Sequence, residues 1–498
     1  MILTVSQIQE LERAAFQEGI EPASLMEEAG AGIARVIEQF FLVPRTAIIY
    51  CGKGHNAGDA LVAARFLARN DWKIFVRLAF PKNEMALLSR AHLEELEEHY
   101  GAPISDIMPW EPQHTPQGAL IVLDGLLGIG AKGDPAHPIQ EAIEEINMLR
   151  SQRGAFVVGI DLPSGLDGTT GIPSPCSLQA DLTITIGAAK TGLVADSATN
   201  QVGRLAVIPL SQLKIGHVSS SALILPEGLK NLLSPRSFNV HKGCFGHVGI
   251  LAGSPGLLGA ARLASRAALH AGAGLVTLYA LPEIYEMLAV SSPPEVMVKP
   301  IQKYSDLFEE PLSALGIGPG LGSKHHHEIL EIIEKIPVPC LVDADALNAL
   351  ASDPSRLLKC PKPRLLTPHP GEMERLFPAK ERSRAHWAED FVEQYPVTLL
   401  LKGARTLIAQ SMEPLLYNTT GHPGMSSGGM GDVLTGIATA LLAAGHSCRN
   451  AAQLAAWLSG RSAEIAIHSS RVSVESLVAS SVIDHLGMAF ESIRIGTF

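Results

Sequence analysis

The chain has 498 residues, of which 46% are hydrophobic, 18% charged and 5% aromatic, and this length exceeds what one hydrophobic core holds, so two or three domains are expected. The net charge of −11, without a run of Lys and Arg residues, argues against nucleic-acid binding, and no apolar run reaches the roughly 18 residues of a membrane span. Six scattered cysteines without a CxxC pair, and a start without the basic and apolar regions of a signal peptide, predict a protein of the reducing cytoplasm.

The first part of the chain alternates β-rich runs with helical patterns, which predicts an α/β fold with a parallel sheet covered by helices. Ser24 and Glu27 have the spacing of a capping box at the start of a helix. The predicted strands lie at 46–50, 73–79, 120–123, 156–160, 182–186 and 205–208, with helices at 60–68 and 139–149.

Residues 211–245 are less regular and contain Ser219, Ser220, Ser221, Pro226 and Pro235. We therefore place one domain at 1–215 and a second at 225–498. A second α/β alternation begins at 247, and the end of the chain is mostly helical. Its predicted strands lie at 247–251, 275–280, 314–317, 340–343, 364–367 and 397–401, with a helix at 261–271.

The densest glycine motif of the second half surrounds one acid. Gly428, Gly429 and Gly431 precede Asp432, and an apolar helical pattern follows that we expect to begin at the acid. Glycines allow positive φ and close approach of a ligand, and a helix N-terminus attracts phosphate oxygens. Asp432 could then take a proton from a hydroxyl that attacks phosphorus. The alternative is that Asp432 only caps the helix.

Four further polar or glycine-rich segments of the second half follow predicted strands, at 318–322, 343–348, 367–372 and 402–404. Because the carboxyl ends of parallel strands meet at one edge of a sheet, we expect these segments to converge on one rim. Lys402 is placed there to meet a phosphate.

From about 239 to 498, the chain resembles the ADP/ATP-dependent NAD(P)H-hydrate dehydratase family, which has the ribokinase-like α/β fold. The matching segments are 241–243, 256–260, 271–276, 318–322, 343–348, 367–372, 402–404 and 424–436. The resemblance implies that ADP or ATP, with Mg²⁺, is bound by Lys402, Gly403, Ala404, Arg405, Thr406 and Gly431. It implies that the hydrated nicotinamide dinucleotide contacts Ala260, Gly320, His369 and Asp432.

In the reaction that this resemblance implies, Asp432 is the base for the 6-hydroxyl of the hydrate. The hydroxyl takes the terminal phosphoryl group of ADP, phosphate leaves, and the ring regains its double bond. His369 has a simpler alternative, a turn histidine bonded to the backbone between two prolines.

The first half has its own glycine-rich segment at 51–59, between a predicted strand and a predicted helix, an arrangement that cradles a pyrophosphate. Its spacing is neither GxGxxG nor that of a Walker motif. Asn56, Asp124 and Ser164 follow three strands and offer amide, carboxylate and hydroxyl oxygens, which suit a hard cation. The alternative is that they merely cap loops.

From about 25 to 208, the chain resembles the NAD(P)H-hydrate epimerase domain, with a Rossmann-like three-layer α/β/α fold. The resemblance implies a potassium ion at Asn56, Asp124 and Ser164, with Asp161 handling a proton. It implies substrate contacts at His55, Asn56, Ala57, Gly58, Asp59, Gly128, Ile129, Gly130, Ala131, Lys132, Gly133, Asp134 and Asp161. The family's Asn-Asn-Gly-Gly-Asp-Gly run is His-Asn-Ala-Gly-Asp-Ala here, so Ala57 and Ala60 add a Cβ where backbone is expected to approach substrate.

Together, the resemblances predict a bifunctional metabolite repair enzyme, a lyase and an isomerase that act on the R and S hydrates of NADH and NADPH. We expect small-molecule substrates, an adenine nucleotide, no nucleic acid, no membrane and a homo-oligomer. The alternative is a ribokinase-like small-molecule kinase fused to a non-catalytic Rossmann-like binding module. We expect His325, His326 and His327 to be a solvated helix start, and Cys51 and Cys244 to be inert thiols.

Overall fold

The computed structural model describes residues 1–106, 119–214, 216, 219–378, 383–469 and 472–498. These residues form two compact units, one of 1–219 with Phe498 and one of 220–497. The strand at Ser221–Ile224 belongs to the second unit and lies in the interval that the sequence left between the two predicted domains. Each unit is described by itself below.

The first unit is built on a parallel sheet. Its strands are β1 (Ile2–Leu3), β2 (Thr46–Cys51), β3 (Lys73–Leu78), β4 (Ile104–Asp106), β5 (Leu120–Gly125), β6 (Phe156–Ile160), β7 (Leu182–Ile186), β8 (Ala189–Lys190) and β9 (Arg204–Ile208). Its helices are α1 (Val5–Gln17), α2 (Pro22–Phe40), α3 (His55–Arg69), α4 (Leu87–Tyr100), α5 (Ile139–Arg153) and α6 (Thr199–Val202). The main sheet has the order β4-β3-β2-β5-β6-β7-β9 with all pairs parallel, and β1 pairs with β8 separately.

Two helices of the first unit, α2 and α3, begin earlier than the sequence predicts, whereas α5 begins at Ile139 as predicted. α2 begins at Pro22 after Glu21, so Ser24 lies inside the helix and the predicted capping box is wrong. Proline fixes φ and needs no hydrogen bond at the first helical position, so it sets the start. A capping box is present instead at the start of α1, between Thr4 and Gln7.

The second unit also contains a large, mostly parallel sheet. Its strands are β10 (Ser221–Ile224), β11 (His247–Leu251), β12 (Leu275–Ala280), β13 (Met297–Pro300), β14 (Ala314–Ile317), β15 (Cys340–Val342), β16 (Arg364–Leu366), β17 (Thr398–Leu401), β18 (Leu407–Gln410) and β19 (Leu415–Asn418). Their order is β10-β19-β18-β17-β16-β15-β14-β11-β12-β13, and only the pairs β17–β18 and β18–β19 are antiparallel. The α/β class of both halves is confirmed.

The helices of the second unit confirm the predicted helical end of the chain. They are α7 (Pro226–Lys230), α8 (Leu258–His270), α9 (Pro282–Ser291), α10 (His326–Lys335), α11 (Ala344–Leu350), α12 (Pro370–Leu376), α13 (Arg384–Gln394), α14 (Met430–Ala443), α15 (Cys448–Ser469), α16 (Ala479–Asp484) and α17 (Leu486–Ile495). α14 and α8 approach closely at Gly436, where a Cβ would lie 2.1 Å from the carbonyl oxygen of Ala264. The core around these two helices is accordingly rich in alanine.

We expect Gly436→Ala to lower the melting temperature of the second unit. Helix propensity alone favours alanine by about 1 kcal/mol, but a Cβ forced against the Ala264 backbone costs about 1–3 kcal/mol or more. Gly487→Ala in α17 is the matched control, because no atom lies within 4 Å of its added Cβ. Thermal unfolding of both variants decides, and a Gly436→Ala protein as stable as the control would contradict the prediction.

Candidate active sites

The sheet of the first unit has its switch in strand order between β2 and β5, since the chain continues outward from β2 to one side and from β5 to the other. In open α/β sheets, ligands bind beyond the carboxyl ends of the strands at such a point. The segment that leads into α3 follows β2, and Asp124 lies at the end of β5. The predicted cation ligands and substrate contacts therefore lie in segments that begin at the switch point, where this topology favours a binding site.

The three predicted cation ligands are brought together. Asp124 Oδ1 accepts hydrogen bonds from Ser164 Oγ at 2.7 Å and Leu126 N at 3.1 Å, and its Oδ2 accepts one from Ser164 N at 2.8 Å. Ser164 Oγ also accepts a hydrogen bond from Leu127 N at 3.1 Å. Asn56 Nδ2 donates to the carbonyl of Leu127 at 2.8 Å, so one backbone segment links the amide to the hydroxyl.

Asp124 is a fully buried carboxyl group, with 0% of its surface exposed. Burial raises its pKa to about 6, although the hydrogen bonds from Ser164 and Leu126 oppose this rise. Within the described ranges, no Lys or Arg side chain pairs with it, and Asn56 Oδ1 accepts no hydrogen bond. A buried carboxylate without a counter-charge is costly, so this oxygen-rich site fits a monovalent or other hard cation.

A second group of charged side chains surrounds Asp161, the residue after β6. Lys190 on β8 is 1% exposed and forms an ion pair with Asp161 Oδ1. Burial, followed by the charges of Asp161 and Glu12, raises the pKa of Asp59 well above its usual range, while Lys190 opposes the rise. Sequence reasoning found Asp59 and Asp161 but missed Lys190, because a single lysine on a two-residue strand gives no pattern.

The predicted substrate segment 55–59 lies in the first turns of α3, because this helix begins at His55 and not at 60. Gly58 faces α2, since a Cβ there would lie 2.5 Å from Met26 Cε. Ala57 and Ala60 are fully buried. The Cβ of Ala60 packs against Gly125 of β5, at 2.8 Å from the position of a Cβ built on that glycine, so it has a packing contact within the protein.

The predicted substrate segment after β5 borders the same region. A Cβ built on Gly128 would lie 3.3 Å from Asn56 Cβ, and Ile129 packs against a small cluster formed by Leu3, Ile8 and Ala188. The segment therefore lies between the cation ligands and the neighbourhood of β8. Its remaining members form an exposed turn and bend: Gly130, Ala131, Lys132, Gly133 and Asp134.

In the second unit, the strand order switches between β11 and β14. Gly318 follows β14 with φ of +131°, and a Cβ there would lie 1.8 Å from the carbonyl oxygen of Asp343. Gly320 also has positive φ, +64°, and its Cβ position lies 3.1 Å from Ala260 Cβ on α8. The structure thus brings together Gly320 and Ala260, two of the four predicted contacts of the hydrated nicotinamide dinucleotide, at the switch point.

A buried ionic cluster lies at the same edge of this sheet. Asp343 is 1% exposed, and its Oδ1 accepts a hydrogen bond from Lys402 Nζ at 2.8 Å while its Oδ2 accepts one from Thr435 Oγ1 at 2.8 Å. Lys402 Nζ lies 3.6 Å from Glu372 Oε2. Lys402 therefore bridges two carboxylates, and Lys402, Asp343 and Glu372 form an ionic cluster at the base of the site.

Asp432 lies in the first turn of α14, beside this cluster. The helix begins at Met430 with Gly429 as its N-cap at φ +90°, so the expectation that it begins at Asp432, and the alternative that Asp432 caps it, are both wrong. Glycine adopts this left-handed conformation easily, so the helix begins at Met430, two residues before Asp432. Burial, followed by the charge of Asp343, raises the pKa of Asp432 to about 6, while Lys402 opposes the rise.

His369 is the N-cap of α12, and its ring has two different edges. Nδ1 accepts hydrogen bonds from Gly371 N at 3.0 Å and Glu372 N at 3.3 Å, and the backbone N–H of His369 donates to Glu372 Oε2 at 2.8 Å. Since Nδ1 is an acceptor, the ring proton resides on Nε2. The side chain is 51% exposed, and Nε2 lies 3.5 Å from Glu372 Oε1, so this edge faces that carboxylate while the other edge holds the turn.

The predicted nucleotide segment 402–406 connects β17 to β18. A Cβ built on Gly403 would lie 2.8 Å from Arg384 Cζ, and Arg384 Nη2 donates to the carbonyl of Arg405 at 2.7 Å. Thr406 Oγ1 donates to the carbonyl of Gly403 at 3.2 Å. Gly403 and Ala404 are exposed, and Arg405 is buried. Arg384, which the sequence pattern did not single out, therefore holds this loop.

Gly431 connects the nucleotide segment to the acids. A Cβ built on Gly431 would lie 3.5 Å from Lys402 Nζ and 3.6 Å from Asp343 Oδ2. Six of the predicted site residues thus lie on one rim, together with the ionic cluster and the N-terminus of α14. The six residues are Ala260, Gly320, His369, Lys402, Gly431 and Asp432.

The three consecutive histidines and the two cysteines near glycine-rich segments are the other candidates that the sequence offers. His325 precedes α10 and contacts Glu328 at 2.9 Å, as expected for a helix start. Cys51 is fully buried, and burial raises the pKa of its thiol; Cys244 is exposed. Across the described ranges, no three His, Cys, Asp or Glu side chains form a metal-binding group. The helices of these ranges include none with the length and hydrophobicity needed to cross a bilayer.

Comparison with known proteins assigns both halves. Residues 22–192 match the family described as "YjeF-related protein N-terminus", and residues 248–485 match the family described as "NAD(P)H-hydrate dehydratase". A Coxiella burnetii protein named bifunctional NAD(P)H-hydrate repair enzyme Nnr is 34% identical, with 96% of this chain and 97% of that protein covered. The chain belongs to this family of bifunctional NAD(P)H-hydrate repair enzymes.

Other members of the repair-enzyme family match at similar levels. The protein of the same name from Moorella thermoacetica is 35% identical, with 99% of this chain and 97% of that protein covered. A crystal structure of ADP/ATP-dependent NAD(P)H-hydrate dehydratase from Bacillus subtilis, co-crystallized with ATP/Mg²⁺, matches with a TM-score of 0.49 and 26% identity and covers 55% of this chain and 100% of that one.

Proposed function

We propose that this repair enzyme restores NADH and NADPH from their hydrates, with the first unit interconverting the R and S epimers and the second dehydrating the S form at the expense of ADP or ATP. The observation that carries the proposal is Asp432, an acid with a raised pKa at a helix N-terminus, beside the buried Lys402–Asp343 pair. This is the arrangement that activation of a hydroxyl beside phosphate groups requires. A homo-oligomer stays a prediction.

In the second unit, Asp432 takes the proton of the 6-hydroxyl, whose oxygen then attacks the terminal phosphorus of the nucleotide. The terminal phosphoryl group passes to this oxygen, and AMP or ADP is released. The C6–O bond then breaks as phosphate leaves, and the neighbouring ring carbon C5 loses a proton, so that the ring regains its double bond. The backbone N–H groups at Met430 and Gly431 start a helix and favour phosphate oxygens. The Nε2–H edge of His369 and the backbone of Gly320 border the hydrated ring. Mg²⁺ would neutralise phosphate charge, as this ion does when it binds substrate phosphates.

In the first unit, Asn56, Asp124 and Ser164 would hold the potassium ion. The fit rests on the buried, unpaired carboxyl of Asp124 and on the free Oδ1 of Asn56. The ion would supply positive charge near the substrate at the β2–β5 edge. The turn at 128–134 and the start of α3 border that edge, and Asp161 handles the proton.

The test uses the purified chain with both hydrate epimers, first with ADP and then with ATP, and follows the absorbance of the restored reduced cofactor. We expect Asp432→Asn to lower the dehydration rate by about 10²–10⁴-fold, because the base is lost. Nucleotide binding should persist, since the loop at 402–406 is unchanged. Asp484→Asn, an exposed acid of the same unit, is the control. A stable phosphorylated product, or full activity of Asp432→Asn, would overturn the proposal.

We expect the dehydration kcat/KM to fall tenfold per pH unit below about pH 6, because Asp432 acts as a carboxylate and its pKa is raised to about 6. Asp343→Asn removes the neighbouring charge that contributes to this rise, so the acid limb should move to lower pH. Asp345→Asn is the matched control, because Asp345 is not among the charges that shift the pKa of Asp432. Its Oδ2 instead accepts a hydrogen bond from Gly322 N at 2.8 Å. The limb should stay in place there; the same shift in both variants would contradict this account.

We expect potassium to raise the melting temperature of the first unit more at pH 7.5 than at pH 5. Burial raises the pKa of Asp124 to about 6, so its carboxylate, and the cost of burying it, appears as pH rises through that value. An ion bound only by the folded state offsets this cost. Choline at equal ionic strength and Asp124→Asn are the controls. An equal shift with choline, or one that survives Asp124→Asn, would remove Asp124 from the site.

A further inference from the structure

The buried lysine of the first unit has all its donors engaged within the protein. Lys190 Nζ donates to Thr185 Oγ1 at 3.0 Å, to the carbonyl oxygen of Ile186 at 3.1 Å and to Asp161 Oδ1. An ammonium group has three N–H donors, so none is left for a substrate. With 1% of its surface exposed, Lys190 is not placed to contact a ligand.

The partner of this lysine presents two unlike oxygens. Asp161 Oδ1 accepts hydrogen bonds from Lys190, from Ile186 N at 3.1 Å and, at 3.4 Å, from the hydroxyl of Thr185. Among the residues that the structure describes, none donates to Oδ2. The backbone of Asp161 has φ of +65°, a conformation that a residue with a Cβ adopts only when its surroundings impose it. Oδ2 is therefore the oxygen available for a proton transfer.

We propose that Lys190 is a positioning residue of the epimerase centre: it holds Asp161 as a carboxylate with Oδ2 free to act as base, while the neighbouring Asp59 carries the proton and acts as acid. This inference rests on the proposed epimerase function. It adds to that function a fixed division of roles between two acids and the cation that sets it.

The charges around the centre support this division. Glu12 approaches from α1, Asp59 from α3, Asp161 from the end of β6 and Lys190 from β8, so three acids share one ammonium. One ammonium compensates one carboxylate, and burial together with the like charge of Asp161 favours the protonated form of the other two acids. Burial first and the Asp161 charge second raise the pKa of Glu12, and the same causes raise that of Asp59. Two acids with opposite protonation states are what acid–base catalysis needs.

The chemical step balances without any further reactant. Asp59 gives its proton to the 6-hydroxyl, the C6–O bond breaks as the ring nitrogen shares its lone pair with C6, and water leaves. Water adds to the opposite face of C6, and Asp161 Oδ2 takes its proton as the new C–O bond forms. The proton returns from Asp161 to Asp59 through solvent, so nothing is oxidised or reduced.

The experiment starts from the pure R hydrate without nucleotide and follows the appearance of the S epimer by chromatography, above the protein-free rate. We expect Lys190→Met to lower kcat by about 10²-fold or more with KM changed less than about threefold, because the base is misplaced but substrate contacts persist. Lys190→Arg should recover at least about tenfold of that loss, since arginine restores the cation. Lys73→Met, an exposed lysine of β3, is the matched control.

The pH profile separates positioning from a merely structural role. The wild-type kcat/KM should be bell-shaped, with the alkaline limb set by loss of the Asp59 proton; Asp59→Asn should be slow and lack that limb. Should Lys190→Met fail to fold, as judged by the melting of the first unit, Lys190→Arg and Asp59→Asn decide. Wild-type kcat in Lys190→Met, or an alkaline limb retained in Asp59→Asn, would overturn the inference. A wild-type chain without epimerase activity would instead overturn the proposed function.

Discussion

A lysine paired with a buried aspartate at the carboxyl edge of a parallel sheet is the interaction on which each candidate site depends. Lys402 holds Asp343 in the second unit, and Lys190 holds Asp161 in the first. A buried carboxylate alone costs several kcal/mol, so each pair permits a charge where the sheet edge would otherwise exclude it. Each pair is anchored further by a threonine, Thr435 or Thr185, whose hydroxyl fixes the carboxylate in one orientation.

The paired aspartate then adds to the rise that burial causes in the pKa of a second acid. In the second unit that acid is Asp432, and in the first it is Asp59. Both acids lie near a helix N-terminus, and both have a raised pKa. Burial is the first cause in each case, and the neighbouring aspartate adds to it. The outcomes differ in degree. In the proposed mechanisms, Asp432, with a pKa raised to about 6, acts as a base near neutral pH, whereas Asp59, with a pKa raised well above its usual range, keeps its proton.

The sequence predicts the strands well and the site only in part. The strands at 156–160 and 182–186 have the predicted bounds, because continuous runs of β-branched and apolar residues identify buried strands. Strand order is not written in that periodicity, so the two switch points required the structure. Lys190 escaped detection because β8 has two residues and its burial depends on pairing with β1. The start of α14 is predicted too late because Gly429 resembles part of a loop, whereas the structure makes it the N-cap of the helix.

Ala60, one of the departures from the family's glycine-rich run, has a packing role. α3 crosses β5 at Ala60 and Gly125, and a Cβ on both residues would leave them 2.8 Å apart, closer than carbon atoms pack. The contact therefore has room for one Cβ, and in this chain Ala60 supplies it while Gly125 has none. This contact keeps the start of α3 against the β2–β5 edge, where Asn56 and Asp59 have their proposed roles. The departure from the family pattern at Ala60 thus belongs to the helix–sheet contact that supports the site, and it gives no reason to expect a silent first unit.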